Sequence, residues 1–535
     1  MIAAAPPVAI APTAPRRAEA GAGPRAAVPM RAPRWWQTIE RALDTVTGAR
    51  DNPLRNLGAL GFYFFWILTA SGVYLYAAFD TSVNGAWQSV ERMTHSPWLV
   101  GGLMRSLHRY ASAGFSAVML LHLLKETLSR RFGGFRTFSW LTGLPLIWLT
   151  YAAGIGGYWL VWDRLAQFSA IASMEWLDAL GIFGEPLARN FVFPGAVNDR
   201  FFSLLVFLHI GIPLLLLLGM WVHIQRLSRP AALPSRRLAA WCFGALLAVS
   251  VLHPALSLPP ADLARVPVQL GLDWFYMFVH PLMYETSAQT VWWLAGGATL
   301  LLAALPLFAR GQRAPAATVD PLNCNGCGQC VADCPYAAIA LVPHSIGGRH
   351  RLQAQVAPDR CASCGICVGA CPSATPFRSV AVLASGIEMP QLRLDSLRAR
   401  LRAALAPGPN QARYVVFGCD CGADLDTLAS RDVAVFSLPC IGMLPPSFIA
   451  YALRRGARGV VVGTCGEGDC AYRLGAEWIA ERLAGTRAPR LRRSVPRQRV
   501  RLVAAGPGQS LVVAAGLAEL RTQVDSPARL EGEPV

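Results

Sequence analysis

Residues 108–122, HRYASAGFSAVMLLH, and residues 209–223, HIGIPLLLLLGMWVH, decide the predicted fold. Each stretch begins and ends with a histidine, so the two histidines of each pair are 14 residues apart. On an α-helix this interval is just under four turns, which places both histidines on one face about 21 Å apart along the axis. Histidine is costly in a lipid-embedded helix and usually functional there. Two facing helices of this kind can hold two stacked haems, each iron bound by one histidine from each helix.

Glycines recur at the same interval. Gly58 and Gly72 are 14 residues apart, and so are Gly143 and Gly157. Glycine has no Cβ and leaves room for a haem between helices. Either glycine pair alone is weak evidence, and one histidine pair could be satisfied inside a bundle by chance. Because the histidine pairs and the glycine pairs share one interval, a haem-binding bundle is favoured over a chance arrangement.

Two basic side chains flank the histidines of the first stretch. Arg105 precedes His108 by three residues, and Lys125 follows His122 by three. Both are placed to neutralise haem propionates. For Lys125, an anchor at the membrane interface is an equal alternative.

Six apolar segments are candidate transmembrane helices. They cover residues 57–79, 101–125, 140–162, 201–225, 238–256 and 289–309. Residues 34–41 have the pattern of an amphipathic helix at the interface. Basic residues follow the second, fourth and sixth segments, the last as Arg310 and Arg313, and all fall on one side of this topology. The positive-inside rule makes that side the cytoplasm, in a multi-pass protein of the cytoplasmic (inner) membrane.

The formal net charge of +17 is then explained mainly by the basic loops that set the membrane topology and by charged residues on the solvated surface. A nucleic-acid interface is disfavoured, because no basic stripe interleaves with aromatic residues.

All of the 14 cysteines except Cys242 lie after residue 320, in clusters that favour metal sites over disulfides. Two runs follow C-x2-C-x2-C-x3-C-P, namely Cys324, Cys327, Cys330 and Cys334, then Cys361, Cys364, Cys367 and Cys371. At this spacing three thiolates bind one [4Fe–4S] cubane and the fourth crosses to the other. Cluster one is therefore assigned to Cys324, Cys327, Cys330 and Cys371, and cluster two to Cys361, Cys364, Cys367 and Cys334. The runs resemble two-cluster bacterial ferredoxins, and zinc is the disfavoured alternative.

The last part of the chain alternates short β-branched runs with helical runs. Strands are predicted over 414–417, 433–436, 459–462 and 500–503, and helices over 446–456, 471–484 and 509–522. This pattern favours a small parallel α/β domain. Five cysteines follow its first three strands: Cys419, Cys421, Cys440, Cys465 and Cys470. The carboxyl ends of parallel strands are where such sheets bind ligands, although buried structural thiols are an alternative.

This segment resembles the small iron–sulfur subunit of methyl-viologen-reducing hydrogenases. The resemblance implies a [2Fe–2S] cluster and a connection between a hydrogenase and a heterodisulfide reductase. A binuclear cluster needs four ligands, and which of the five cysteines is spare stays open.

Residues 34–310 resemble the cytochrome b subunit of cytochrome bc complexes. The resemblance rests on the histidine and glycine pairs, on Arg105 three residues before His108, on Tyr158, and on Pro213 four residues after His209. It implies that His108 and His209 hold an outer haem and that His122 and His223 hold a cytoplasmic-side haem. The family's quinol motif is represented by Leu272-Asp273-Trp274-Phe275, which makes Asp273, Tyr276 and His280 candidates for a quinone site. A surface loop with ordinary polar residues is the alternative.

The predicted fold class is therefore a multi-domain chain. A disordered tail (1–33) precedes an α-helical cytochrome b-like membrane domain (34–312), a two-cluster ferredoxin module (318–380) and a parallel α/β iron–sulfur domain (410–525). The expected cofactors are two b haems, two [4Fe–4S] clusters, a [2Fe–2S] cluster and a quinone. The function predicted is electron transfer between a cytoplasmic oxidoreductase, of hydrogenase or heterodisulfide-reductase-like flavoprotein type, and the quinone pool. The alternative is a non-catalytic transmembrane relay and anchor serving an outer-face carrier. The direction of flow, the partner and the oligomeric state stay open.

Overall fold

The computed structural model describes residues 32–96, 100–191, 197–267, 269–273, 275–308, 314–347, 350–409 and 411–525. Nearly all of the predicted N-terminal tail lies outside these residues, as do Trp274, Arg310 and Arg313.

Ten α-helices form the described part of the membrane domain. They are α1 (Arg34–Thr47), α2 (Leu57–Ala78), α3 (Ala86–Thr94), α4 (Val100–Leu128), α5 (Thr137–Trp159), α6 (Arg164–Asp178), α7 (Asp199–Ile224), α8 (Arg236–Leu252), α9 (Val279–Glu285) and α10 (Ala288–Phe308). Each predicted transmembrane segment lies largely on one of these helices, although α8 ends at Leu252 and the prediction extended to residue 256. Among the described residues, four spans are long and apolar enough to cross a membrane, namely Leu57–Ala78, Gly134–Trp159, Asp199–Ile224 and Ala288–Phe308. Of the other two segments, α4 is more polar and α8 has only 17 residues.

Two helix pairs build the bundle that carries the histidines. Helix α2 packs along α4, and α5 packs along α7. Large apolar side chains from all four helices share one core, including Phe64, Phe115, Leu146 and Met220. A second core lies towards the ends of α5 and α7 that carry Trp159 and Phe202, where α6 and the segment before α9 pack on the bundle. The bundle thus brings both ligand helices to one interior.

The ferredoxin module is built from two similar halves. Strand β1 (Thr318–Val319) pairs antiparallel with β4 (Ile387–Glu388), and β2 (Ile339–Pro343) pairs antiparallel with β3 (Leu352–Val356). The third cysteine of each run lies on a short helix, α11 (Gln329–Asp333) or α12 (Ile366–Ala370). Gly328 and Gly365 precede these helices with φ of +76° each, a left-handed conformation that glycine adopts without strain.

The C-terminal domain is a four-stranded parallel sheet, as predicted. The strands β5 (Tyr414–Cys419), β6 (Val433–Leu438), β7 (Gly459–Thr464) and β8 (Val500–Ala504) lie in the order β6-β5-β7-β8. The helices of this part are α13 (Leu394–Ala404), α14 (Pro446–Arg454), α15 (Gly475–Ala484) and α16 (Ser510–Asp525). Residues of β5 and β7 are buried throughout, because helices cover both faces of a parallel sheet. The parallel pairing brings the carboxyl ends of β5, β6 and β7 to one edge.

Candidate redox centres

His108 on α4 and His209 on α7 face each other across the bundle. Their ring centroids are 6.3 Å apart, with an angle of 69° between the ring planes. A metal–nitrogen bond of about 2 Å on each side, plus a ring radius of about 1.1 Å for each imidazole, requires about 6.2 Å between centroids. The separation would therefore let both rings bind one haem iron, as the sequence predicts for the outer haem.

The inner layer lies 14 residues further along both ligand helices. The His122 ring lies against Gly58 of α2, and the His223 ring lies against Gly143 of α5. Helix periodicity places them on the same helix faces as His108 and His209. The structure thus groups the four histidines as the two predicted pairs.

Each of the four predicted glycines lies against one of these rings. A Cβ at the glycine would be 3.0 to 3.8 Å from the nearest imidazole carbon. The four contacts are Gly58 with His122, Gly72 with His108, Gly143 with His223 and Gly157 with His209. The shared interval therefore has a physical cause: helices α2 and α5 leave space for the ligand rings of their neighbours.

Hydrogen bonds to Nδ1 orient three of the rings. The partners are the Ser71 hydroxyl for His108 at 3.0 Å, the Ala153 carbonyl for His209 at 3.0 Å and the Thr142 hydroxyl for His223 at 3.3 Å. A metal-binding histidine usually donates its second ring N–H in this way, which leaves Nε2 for the metal.

Ser71 and Thr142 were not predicted, although the sequence carried a signal for both. Each directly precedes a ring-contacting glycine, in Ser71-Gly72 and Thr142-Gly143. At these two positions, a serine or threonine that directly precedes the glycine on the neighbouring helix bonds to Nδ1 of the histidine.

Arg105 and Lys125 are both engaged by protein groups. Arg105 is buried and donates to the hydroxyls of Thr94 at 2.5 Å and Ser257 at 2.7 Å. Lys125 forms an ion pair of 2.8 Å with Glu40 on α1. Their role towards haem propionates stays a prediction, and the Glu40 contact ties the interfacial helix to the end of α4.

The eight ferredoxin cysteines line two separate cavities. One cavity is lined by Cys324, Cys327, Cys330 and Cys371, and the other by Cys334, Cys361, Cys364 and Cys367. These are the two predicted ligand sets. Backbone N–H groups point at ligand sulfurs, with Ala354 N–H 3.4 Å from Cys324 Sγ and Ala338 N–H 3.4 Å from Cys334 Sγ. N–H donors to thiolate sulfurs are usual around iron–sulfur clusters.

Burial makes the thiols of Cys330 and Cys367 poor acids. It raises the pKa of Cys330 to about 12 and the pKa of Cys367 well above its ordinary value. Neutral thiols are therefore favoured at pH 7 without a metal, and bound iron would hold the sulfurs as thiolates.

The five C-terminal cysteines converge at one edge of the sheet. Cys419 Sγ lies 3.4 Å from Cys465 Sγ. Cys419 also interacts with Cys421 and Cys440, and Cys470 interacts with Cys440 and Cys465. All but Cys470 are buried. The donor set fits an iron–sulfur cluster, with one cysteine more than a binuclear cluster needs.

Close backbone contacts join this domain to cluster two. Cys440 belongs to one buried group with Cys364 and Ile366. A Cβ on Gly369 of α12 would collide with the carbonyl oxygen of Gly442. Glycine at position 369 therefore permits the loop after β6 to reach the cluster-two cavity.

A buried ion pair holds the same interface. Arg482 on α15 is fully buried and donates to the carboxylate of Asp333 at 2.6 Å and to the Gly442 carbonyl at 2.7 Å. Arg487 pairs with the second carboxylate oxygen at 2.6 Å. Asp333 precedes the cluster-two ligand Cys334, so the ion pair connects a ligand segment to the sheet domain.

The membrane domain contacts both iron–sulfur regions near its inner histidine layer. Ser228, five residues after His223, donates its hydroxyl to the Cys334 carbonyl at 2.6 Å. Arg473 donates to the carbonyls of Ser228 and Pro335, each at 3.1 Å. The cluster-two segment therefore rests on the end of α7.

A second contact involves the loop between Cys465 and Cys470. Asp469 in this loop forms an ion pair with Arg55, which also pairs with Asp44 at 2.7 Å. Arg55 lies three residues before Gly58, which touches the ring of His122. The C-terminal cysteines thus lie over the start of α2.

The quinone-site candidates gather near the outer layer. Asp273 accepts hydrogen bonds from Arg109, at 2.5 Å, and from the backbone N–H of Tyr276, at 2.7 Å. The Tyr276 hydroxyl bonds to the hydroxyls of Ser112 and Ser116 on α4, at 2.8 and 2.6 Å. Since Arg109 follows His108 directly, this acid–arginine pair adjoins the outer layer.

Tyr276 and His280 are 2% and 0% exposed, so neither lies on a surface loop. His280 Nε2 bonds to Ser173 at 3.1 Å, while its Nδ1 has no hydrogen-bond partner among the described residues.

Comparison with known proteins matches three families along the chain. Residues 49–231 match the family model of cytochrome b/b6/petB, residues 323–375 match the 4Fe–4S dicluster domain, and residues 419–526 match the delta subunit of methyl-viologen-reducing hydrogenase. The predicted fusion is confirmed. Among solved structures, a chain described as hyperthermophilic respiratory Complex III is 19% identical with a TM-score of 0.39, over 47% of this chain and 74% of that chain. The fused modules and apolar helices support a membrane electron-transfer role.

Haem content tests the histidine assignment. We expect two b haems per chain in the wild type and one after His122→Ala, because each iron needs a histidine from both helices. Pyridine haemochrome analysis of the purified protein measures the ratio. His253→Ala, which changes an exposed histidine at the end of α8, should keep both haems. One haem or none in folded wild type would contradict the assignment.

The buried ion pair predicts a large stability effect. Asp333→Ala leaves Arg482 buried beside an empty carboxylate position, which typically costs about 3–5 kcal/mol. The denaturant midpoint for loss of iron–sulfur absorbance should fall markedly. The control is Glu519→Ala, which breaks the exposed pair with Arg501 and should cost less than about 1 kcal/mol. Equal midpoints for the two variants would show that the ion pair does not hold the interface.

Proposed function

We propose that the protein passes electrons between a cytoplasmic oxidoreductase and the quinone pool. The single observation that carries this proposal is the contact of the Cys334 segment with the end of α7, five residues beyond His223. When bound, haems and iron–sulfur clusters carry one electron at a time. The residues of this chain would hold those groups in an order that runs from the ferredoxin module, through the inner histidine layer, to the outer layer.

The orientation of the protein rests on its basic loops. Arg136, between α4 and α5, donates to the Ala471 carbonyl at 3.0 Å, and Arg226, after α7, pairs with Asp359 at 3.5 Å. The loops that the positive-inside rule assigns to the cytoplasm therefore contact the iron–sulfur modules. This supports placing those modules on the cytoplasmic side of an inner membrane.

The C-terminal domain indicates the kind of enzyme that exchanges electrons with this protein. Its similarity to a hydrogenase delta subunit supports a hydrogenase or a heterodisulfide-reductase-like flavoprotein as the two-electron enzyme. The C-terminal cysteines would hold a [2Fe–2S] cluster, with four of the five as ligands.

A quinone would bind near Asp273, Tyr276 and His280. Asp273 is held by Arg109, which adjoins the outer ligand His108. A carboxylate next to an electron-accepting centre can take the proton that a quinol releases on oxidation, or supply one in the reverse direction. The unpartnered Nδ1 of buried His280 is a second polar group available to a quinone oxygen.

Asp273→Asn tests this site. We expect quinone turnover to fall at least about tenfold with haem content unchanged, because the amide cannot exchange the proton. The matched control is Asp262→Asn, since Asp262 also caps a backbone N–H in the same connecting region. Unchanged quinone turnover in Asp273→Asn, with electrons still delivered to an outer-face carrier, would favour the relay-and-anchor alternative.

The order of the two layers is also testable. Chemically reduced iron–sulfur centres should reduce the inner haem first, because the outer layer lies about 21 Å further along the helices. His223→Ala should therefore block reduction of the outer haem as well. Rapid-mixing spectroscopy on His223→Ala and on His209→Ala measures both steps. Fast outer-haem reduction without an inner haem would refute this order.

A further inference from the structure

One iron–sulfur ligand set reaches the protein surface. Cys327 is the exposed cysteine among the described residues, and it lines the cluster-one cavity together with Leu341. Leu341 is 38% exposed, Leu352 42% and Leu322 82%. We define the cluster-one face as Leu322, Cys327, Leu341, Arg351 and Leu352.

The contacts of the ferredoxin module show that these residues share one surface. A Cβ at Gly326, beside Cys327, would meet the backbone of Leu352, and a Cβ at Gly328 would lie 3.5 Å from Leu341. His344, at the end of β2, contacts the carbonyl of Pro321 at 3.1 Å, next to Leu322. Two exposed leucines therefore lie beside the loop that carries Cys327, and exposed Leu322 lies on the segment that contacts the end of β2, whereas single exposed apolar residues are ordinary.

The other ligand sets are covered. Cluster two adjoins Cys440 and rests on Ser228 of the membrane domain. The loop between Cys465 and Cys470 rests on Arg55. Among the described residues, cluster one is thus the iron–sulfur ligand set that has an exposed cysteine.

The carboxylates of the ferredoxin module are engaged by neighbouring protein groups. Asp333 is occupied by Arg482 and Arg487, and Asp359 is paired with Arg226. Asp320 accepts the backbone N–H of Leu322 and the amide of Asn323. Exposed Arg351 forms no ion pair with the residues that the structure describes. A small apolar patch with a basic edge is complementary to an acidic partner.

We propose that the cluster-one face docks an acidic ferredoxin, a soluble protein with a one-electron centre. The inference rests on the proposed electron-transfer function and adds where a soluble partner binds. One electron leaves the reduced ferredoxin and one is gained by this chain, with no bond or proton transferred. Transient redox encounters use small interfaces, and opposite charges raise their association rates. The exposed leucines and Arg351 provide the apolar and basic groups for such an encounter.

The test uses the full-length protein in detergent and an acidic [2Fe–2S] ferredoxin as the probe. Leu322→Glu and Arg351→Glu place negative charge on the face. The matched control is Leu511→Glu on α16 of the sheet domain, since Leu511 and Leu322 are each 82% exposed. Two quantities are measured for each variant: the Kd for oxidised ferredoxin by calorimetry, and the rate of haem reduction by reduced ferredoxin and by reduced methyl viologen.

We expect the Kd to rise at least about tenfold in both face variants, with the reduction rate by ferredoxin falling in parallel. Leu511→Glu should stay within about twofold of wild type, and the wild-type Kd should rise with salt. Reduction by methyl viologen should be unchanged throughout, which separates failed docking from failure of the electron-transfer function. Unchanged affinity in both face variants, or an equal loss in Leu511→Glu, would overturn the proposal. If Leu322→Glu lost iron, its affinity would no longer report on docking, and the result for Arg351→Glu would decide whether the proposal stands.

Discussion

The approach of His108 and His209 to a ring separation of 6.3 Å constrains the whole membrane domain. Two imidazoles can share one iron only if α4 and α7 face each other at a fixed depth and rotation. Helices α2 and α5 make this possible, because their glycines leave space for the rings and Ser71 and Thr142 hold Nδ1. The positions of all four helices are therefore constrained by the histidine pairs, and each helix carries two histidines or two glycines that are 14 residues apart.

A second constraint operates in the iron–sulfur modules. Arg482 is fully buried, and removing a guanidinium from water is unfavourable unless its charge is matched. Asp333 supplies the opposite charge, and the Gly442 carbonyl accepts a further hydrogen bond, at the point where the Cys334 segment meets the sheet. Arg487 pairs with the other oxygen of the same carboxylate. Such a pair adds little stability compared with an apolar contact of similar size, but it tolerates few alternative arrangements. We infer that it fixes how the C-terminal cysteines lie against cluster two.

The features that could be predicted from the sequence are those that follow from a regular interval between residues. The histidine and glycine intervals identified the four helices of the bundle, and the alternating pattern identified the strands of the C-terminal sheet. The short helices α9, α11 and α12, which carry His280, Cys330 and Cys367, were not predicted. The contacts between modules were missed, because Asp333 and Arg482 lie 149 residues apart and neither belongs to a repeating pattern. The partners of Lys125 and Arg105 were missed for the same reason. Glu40 and Thr94 lie on other helices, and only the tertiary fold brings them to the basic groups.

Fusion into one chain means that the contact between the membrane and soluble parts does not have to hold two separate subunits together. Ser228, Arg473 and Arg55 provide hydrogen bonds and ion pairs, and the rings of Phe135 and Tyr336 pack with centroids 4.6 Å apart. Separate subunits would lose translational and rotational freedom on forming this contact, and a few polar groups would not offset that loss. A covalent connection gives the modules a high effective concentration instead. The polar contacts then need only select the orientation, which sets the cluster-two segment beside the end of α7 that follows His223.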